Sequence, residues 1–266
     1  MSLKIADAVA VMERHFPAAL KEEWDRVGLI VGNPDAELRT VGFAVDPCEA
    51  TIREAIDRGA DLLITHHPLY LRGTSTVADV GGKGSWVHEL IRGGCALFAA
   101  HTNADAAQEG SATALANLLG LVDQRPLDPH PSDSELGIGK IGRLPITMSV
   151  RELAQRVKAV IPETPDGVLI GGDPERIVSL VALSPGSGDS YLDAVADSEA
   201  DVYITADLRH HPATDHLWAG GCPLISVTHF ASEWPVLLSM RDAIASELSV
   251  RTYVSTIVTD PWVERV

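Results

Sequence analysis

The sequence predicts an α/β protein built from two duplicated halves, and three observations carry that prediction. Helix-like and strand-like stretches alternate through the first hundred residues, a pattern that pairs strands in parallel and links them by helical crossovers. Ala60-Asp61-Leu62-Leu63-Ile64-Thr65 returns almost position by position as Ala200-Asp201-Val202-Tyr203-Ile204-Thr205. Gly94-Cys95-Ala96-Leu97-Phe98 returns as Gly221-Cys222-Pro223-Leu224-Ile225. The halves are expected to face each other, as a first domain over 1–128 and a second over 129–266.

Taken in order, the amino-terminal stretch interrupts its apolar residues with charges at helical spacing. An amphipathic helix capped by Ser2 is expected there, and not a signal peptide. A glycine-bounded apolar run over 24–32 reads as a buried strand, and 41–45 as a second. Asp46-Pro47 opens a helix over 49–58 that Gly59 ends, and Asp61 leads into the strand that stops at His66-His67-Pro68. A short helix over 84–91, stopped by Gly93-Gly94, precedes a strand over 96–100 that ends in His101. The next helix covers 110–119, with Ser111 near its start. Residues 125–149, rich in Pro, Gly, Ser and Asp, read as a linker at the domain boundary. Gly137-Ile138-Gly139-Lys140-Ile141-Gly142 within it matches a dinucleotide fingerprint in its letters only. It follows a polar stretch and runs into Pro145 where a strand before and a helix after are needed. In the second half, strands are expected at 178–183 and 200–205 with a helix at 191–195 between them. Trp234-Pro235 starts the last helix, whose Val236, Leu237, Met240 and Ile244 form a core face.

Composition narrows the function classes. With 45% hydrophobic and 22% charged residues the chain has the balance of a soluble globular protein. No run reaches the ~18 apolar residues of a membrane span. The net charge of -16 argues against gripping a phosphate backbone, a task that relies on Lys and Arg. Three scattered cysteines, Cys48, Cys95 and Cys222, give neither a disulfide framework nor a thiolate zinc site, and point to a cytoplasmic location.

Three strand exits carry chemistry. His66-His67 is followed by Pro68, which takes the chain out of regular structure so that two imidazoles can converge. His101 and Asp105 stand four residues apart after one strand, and His229 and Glu233 repeat that spacing after another. Ligands gather at the carboxyl ends of strands in open α/β sheets, and imidazole is the commonest metal ligand. Ordinary polar strand ends are the alternative. The loop Gly186-Ser187-Gly188 admits two readings, a backbone cradle for a substrate phosphate at a helix start or a tight turn. His210 and His211 read as surface histidines at a polar helix start.

These residues carry a family resemblance. Thr65-His66-His67-Pro68, His101-Thr102-Asn103-Ala104-Asp105, Ser184-Pro185-Gly186-Ser187-Gly188 and His229-Phe230-Ala231-Ser232-Glu233 resemble the signature of the NGG-one-interacting-factor-three-like family. Many of its members are named as homologues of GTP cyclohydrolase 1 type 2. The resemblance runs from Trp24-Asp25 to Pro235 and implies two α/β domains with a dinuclear metal cleft between them, assembled as a ring-shaped homohexamer. Carried over by position, the metal ligands are His66, His67, Asp105, His229 and Glu233, with His101 beside the metals as a supporting or catalytic group. Two features depart from the pattern. Arg26 stands where Asn is usual, and the stretch from Thr205 to Pro212 differs from the family form. The long insertion that some members carry between the halves is missing.

Three imidazoles and two carboxylates shared by two divalent cations leave coordination positions open, as catalytic sites do. Nitrogen and oxygen ligands without thiolate suit zinc, iron, manganese or nickel. The implied function is hydrolysis of a small, nucleotide-like substrate; in the cyclohydrolase version water adds at C8 of guanine while His101 shuttles protons. The competing reading is a non-enzymatic metal-binding scaffold or regulator that acts through protein partners.

Overall fold

The computed structural model describes residues 2–266, which form two compact units, each with its own sheet. The first unit runs to Ala107 and takes up Leu237–Thr259; the second comprises Gln108–Val236 and Asp260–Val266. The division therefore falls earlier than the expected 128/129 boundary, and the chain returns to the first unit near its end.

The first unit holds α1 (Ile5–His15), β1 (Gly28–Val31), β2 (Thr40–Ala44), α2 (Glu49–Asp57), β3 (Leu62–Thr65), α3 (Lys83–Gly93), β4 (Ala96–Ala99) and α4 (Thr102–Ala106). The second holds α5 (Ser111–Leu118), β5 (Val122–His130), β6 (Asp133–Ser149), α6 (Val150–Val160), β7 (Leu169–Gly171), β8 (Ile177–Ser187), α7 (Leu192–Ala196), β9 (Val202–Ala206), α8 (His210–Trp218), β10 (Leu224–Ser226) and α9 (His229–Glu233). α10 (Val236–Glu247) and β11 (Arg251–Val254) follow, and β11 closes the first sheet. Among the described residues no helix is long and apolar enough to cross a membrane.

In the first sheet the order is β1-β4-β3-β2-β11, with β11, β2, β3 and β4 parallel and β1 antiparallel at the edge. Every residue of β2, β3 and β4 is buried, which explains why these strands read as unbroken aliphatic runs. Ile52 and Ala55 of α2 and Val87 and Leu90 of α3 join Leu63 and Leu97 in the core on one face. The expected buried strand over 24–32 shrinks to β1, an edge strand that buries only Val31. The cap of α1 also differs. Lys4 precedes the helix and donates its backbone N–H to Asp7 at 2.7 Å, so Ser2 is not the cap.

The second sheet has the order β5-β6-β8-β9-β10-β7. Its core gathers Leu115 and Leu119, Leu153 and Val157, Val181, Leu183, Val202 and Ile204. The stretch 125–149 is no linker, since β5 and β6 form a long antiparallel hairpin that pairs with β8. Its composition misleads for a physical reason. Pro126 and Pro129 lie on the edge strand, where a missing N–H does little harm. Gly137, at φ 142°, lies where an added Cβ would be 2.1 Å from the Asp128 carbonyl oxygen, so glycine marks a close strand approach and not a loop. The glycine fingerprint lies inside β6, without the helix start directly after it that a dinucleotide site uses. Helix α6 then begins with Ser149 and Glu152 bonding each other's backbone N–H groups.

The duplication is written into the hydrogen bonds. The order helix, antiparallel edge strand, then three parallel strands occurs twice, with neighbours β1-β4-β3-β2 and β7-β10-β9-β8. Asp61 Oδ2 accepts the backbone N–H groups of Arg39 and Thr40 at 2.7 and 2.9 Å; Asp201 Oδ2 accepts those of Ser179 and Leu180 at 2.9 and 2.8 Å. Asn33 and Asp173 each accept an N–H two residues on, from Asp35 and Glu175. The first helix of each repeat leans on the same turn, Ile5 and Ala6 donating to Ala36 and Pro34, Val150 and Arg151 to Arg176 and Pro174. Strand register refines one expectation. Thr65 pairs with Ala99 and Thr205 with Ser226, so two residues on His101 matches Thr228, and His229 matches Thr102. The two His-x-x-x-acid motifs thus share a spacing but sit one position out of register.

Asp61 and Asp201 each stand just before one strand and tie it to the first residues of its neighbour through charge-assisted bonds, at the start of β2 and in the first four residues of β8. Asp61→Ala and Asp201→Ala should each lower unfolding stability by about 1–3 kcal/mol in a denaturant titration. Unchanged midpoints would remove these carboxylates from the fold's framework.

Candidate metal centre

In the first unit the site grows from the carboxyl ends of β2, β3 and β4. Beyond β3 the backbone N–H groups of His66 and His67 still bond to Ala44 and Val45, while the Thr65 hydroxyl donates to the His67 carbonyl at 2.8 Å and turns the chain. The two rings come to 5.1 Å, and the His101 ring lies 5.3 and 5.4 Å from them. One ring nitrogen from each of the three falls within 4.8 Å of the others.

Each ring is held from behind. His66 Nδ1 lies 2.9 Å from the Ala100 carbonyl, His67 Nδ1 2.7 Å from Asp46 Oδ1, and His101 Nδ1 2.9 Å from Asp25 Oδ1. Carbonyl and carboxylate oxygens only accept, so they select the Nδ1–H form and leave the lone pair on Nε2, the arrangement of metal-ligating histidines. Asp25 is fully buried and also accepts from the N–H groups of Arg26 at 2.7 Å and Thr102 at 3.0 Å and from the Thr102 hydroxyl at 2.5 Å. Burial alone would raise its pKa, but the bonds from His101 and Thr102 outweigh that and hold it well below the usual carboxylate range. Asp46 is steadied by the Thr259 hydroxyl. Asp105, on α4, brings Oδ1 to 3.7 Å from His66 Nε2.

In the second unit β9 and β10 end beside α9. Thr228 caps α9 by accepting the Ala231 N–H, and one helical turn separates His229 from Glu233. His229 Nε2 lies 3.0 Å from Glu233 Oε1, and its Nδ1 lies 2.7 Å from Asp207 Oδ2. Burial alone would lower the His229 pKa; the nearby Glu233 charge, helped by hydrogen bonds to Asp207 and Glu233, outweighs it and lifts the value to about 11.

The loop Gly186-Ser187-Gly188 serves this arrangement. Gly186, at φ 72°, donates its N–H to Ser232 Oγ at 2.9 Å, and a Cβ there would lie 2.4 Å from Glu233 Oε1. The Gly188 N–H is taken by the Ala206 carbonyl, and a three-residue 3-10 turn separates the loop from the five-residue helix α7. With two of its three N–H groups already committed, the loop has the features of a tight turn that makes room for a carboxylate. His210 and His211 are exposed at the start of α8, in keeping with surface histidines.

The sequence reading missed the three carboxylates that orient the rings, Asp25, Asp46 and Asp207. Asp207 directly follows the end of β9 and Asp46 lies two residues beyond the end of β2, which is the signal that was present. Asp207 also takes φ 53°, unusual for a residue with a side chain. Gly186→Ala should fold, displace Glu233, and weaken divalent-metal uptake by ~10-fold or more in a titration. Uptake equal to the parent protein's would argue against Glu233 as a ligand.

Comparison with known proteins finds relatives over nearly the whole chain. A Streptomyces coelicolor protein named GTP cyclohydrolase 1 type 2 homolog is 45% identical over 271 residues, spanning 99% of this chain and 95% of that protein. A Mycobacterium tuberculosis protein of the same name is 32% identical over a 370-residue alignment that covers 98% of this chain and 97% of its own, so it carries a long insertion absent here. The crystal structure of a Staphylococcus aureus hypothetical protein, 26% identical, superposes with a TM-score of 0.89 over 98% of this chain and 99% of that one. Residues 3–261 match the family described as Duf34/NIF3 (NGG1p interacting factor 3), and the chain belongs to that family.

Proposed function

We propose that the protein is a metal-dependent hydrolase of a small, nucleotide-like substrate, with His66, His67, Asp105, His229 and Glu233 together holding two divalent ions per chain. One observation carries this reading: His66, His67, His101 and His229 each have Nδ1 fixed by an oxygen acceptor. The donor set fits the group, since imidazole and carboxylate without thiolate suit zinc, iron, manganese or nickel. When bound, such ions supply Lewis-acid charge and bring the ionisation of water toward neutral pH. The chain's own residues do the rest. Asp25 keeps the proton of His101 on Nδ1, so Nε2 is the atom free to take a proton from water and return it to a leaving group. The name shared by the relatives supports a guanine nucleotide as substrate class, and in that reading water adds at C8 of the base. The three cysteines are free thiols, which supports a cytoplasmic setting. The family's description as an interacting factor favours the competing reading, a metal-binding scaffold for protein partners.

Elemental analysis tests the site. The purified protein should carry close to two transition-metal ions per chain, and Glu233→Ala should lose at least one; no metal as isolated and none on reconstitution would sink the reading. His101→Asn should keep its metal while turnover of a chelator-sensitive substrate falls ~100-fold or more. Loss of metal in parallel would make His101 a ligand, and unchanged turnover would favour the scaffold. The homohexamer implied by the family is checked by light scattering, where a monomer at all concentrations would remove the ring.

A further inference from the structure

We propose that Trp24 is the platform on which the planar base of the substrate stacks; the inference rests on the hydrolase reading and narrows its substrate to a heteroaromatic one. The chain has only five tryptophans, and this one leaves 53% of its surface exposed directly beside the histidine cluster. Its indole meets the His101 ring edge to face, with centroids 5.9 Å apart and planes 77° apart. An edge contact of that kind leaves much of the indole uncovered. Trp218 and Trp262 are more exposed still, so exposure alone does not single out Trp24; its place against the His101 ring does.

The indole is exposed without its backbone being loose. Its neighbour Asp25 is fully buried and bonded to His101 and Thr102. The Glu22 N–H bonds to the Thr102 hydroxyl at 3.0 Å, the Asp25 N–H to the Glu22 carbonyl at 3.0 Å, and Arg26 Nη1 to the Asp25 carbonyl at 2.7 Å. A large aromatic face is therefore presented at a fixed place next to His101, the group proposed to move protons. Flat heterocycles stack on such faces in offset or edge-to-face geometry whatever their hydrogen-bonding edges. The strongly acidic chain offers little general attraction to a nucleotide's phosphates, which leaves the base to supply affinity.

The test is calorimetric titration of the metal-loaded protein with guanosine and, separately, with ribose 5-phosphate. Trp24→Ala should weaken guanosine binding by roughly 5- to 150-fold, the range expected for the loss of one stacking partner. Trp24→Phe should restore most of it. Metal content and ribose 5-phosphate binding should stay unchanged in both variants. Guanosine binding that survives Trp24→Ala overturns the proposal, as does a metal-loaded parent protein that binds no guanosine. A change in oligomeric mass with guanosine binding intact would assign Trp24 to a contact between copies and would also overturn it. Failure of the hydrolase reading is separate: it would show as no chelator-sensitive turnover while Trp24→Ala still loses guanosine.

Discussion

Everything at the candidate centre depends on the pinning of imidazole Nδ1 atoms by oxygens at the carboxyl ends of parallel strands. A histidine whose ring is free to flip presents either nitrogen in either protonation state, and its lone pair has no fixed direction. Here a carbonyl or carboxylate stands behind each of four rings, at 2.7 to 2.9 Å. Three of those oxygens belong to carboxylates. The strands fix the oxygens, and the oxygens fix the rings.

The duplication shows how one scaffold was put to two uses. By register, His67 of the first repeat stands where the second has Asp207, and Asp46 stands where the second has Gly186. In the first repeat Asp46 orients His67; in the second, Asp207 orients a histidine from α9, and Gly186 gives Glu233 the space a side chain would fill. The framework bonds of Asp61 and Asp201 are kept in both copies while the groups at the strand ends differ. Fold and site thus follow separate constraints along the same strands.

Much of this was legible in the sequence because the decisive signals are local. Buried parallel strands read as aliphatic runs, and the polar residues that end them stand out, which brought His66, His67, His101, Asp105, His229 and Glu233 into view. The hairpin of β5 and β6 was not legible, because its glycines answer to close strand approach and its prolines to an edge position, and both look like loop chemistry in a linear reading. The return of the chain to the first unit also escaped, for pairing between distant segments leaves no periodic trace. The ring-orienting acids were hidden for the same reason: Asp25 reaches His101 across 76 positions, and one carboxylate after a strand looks like any other.

The pairing of β11 with β2 has a consequence for how the chain is made. Thr40 and Arg251, partners across that ladder, are 211 positions apart, and the whole second unit is synthesised between them. A ribosome that has released the second unit has not yet supplied the strand that closes the first sheet. Until then β2 presents an open edge, the kind of surface on which neighbouring nascent chains pair by mistake. The inserted unit has a sheet of its own, whereas closure of the older half waits on a long-range strand pairing, the kind of contact that slows folding.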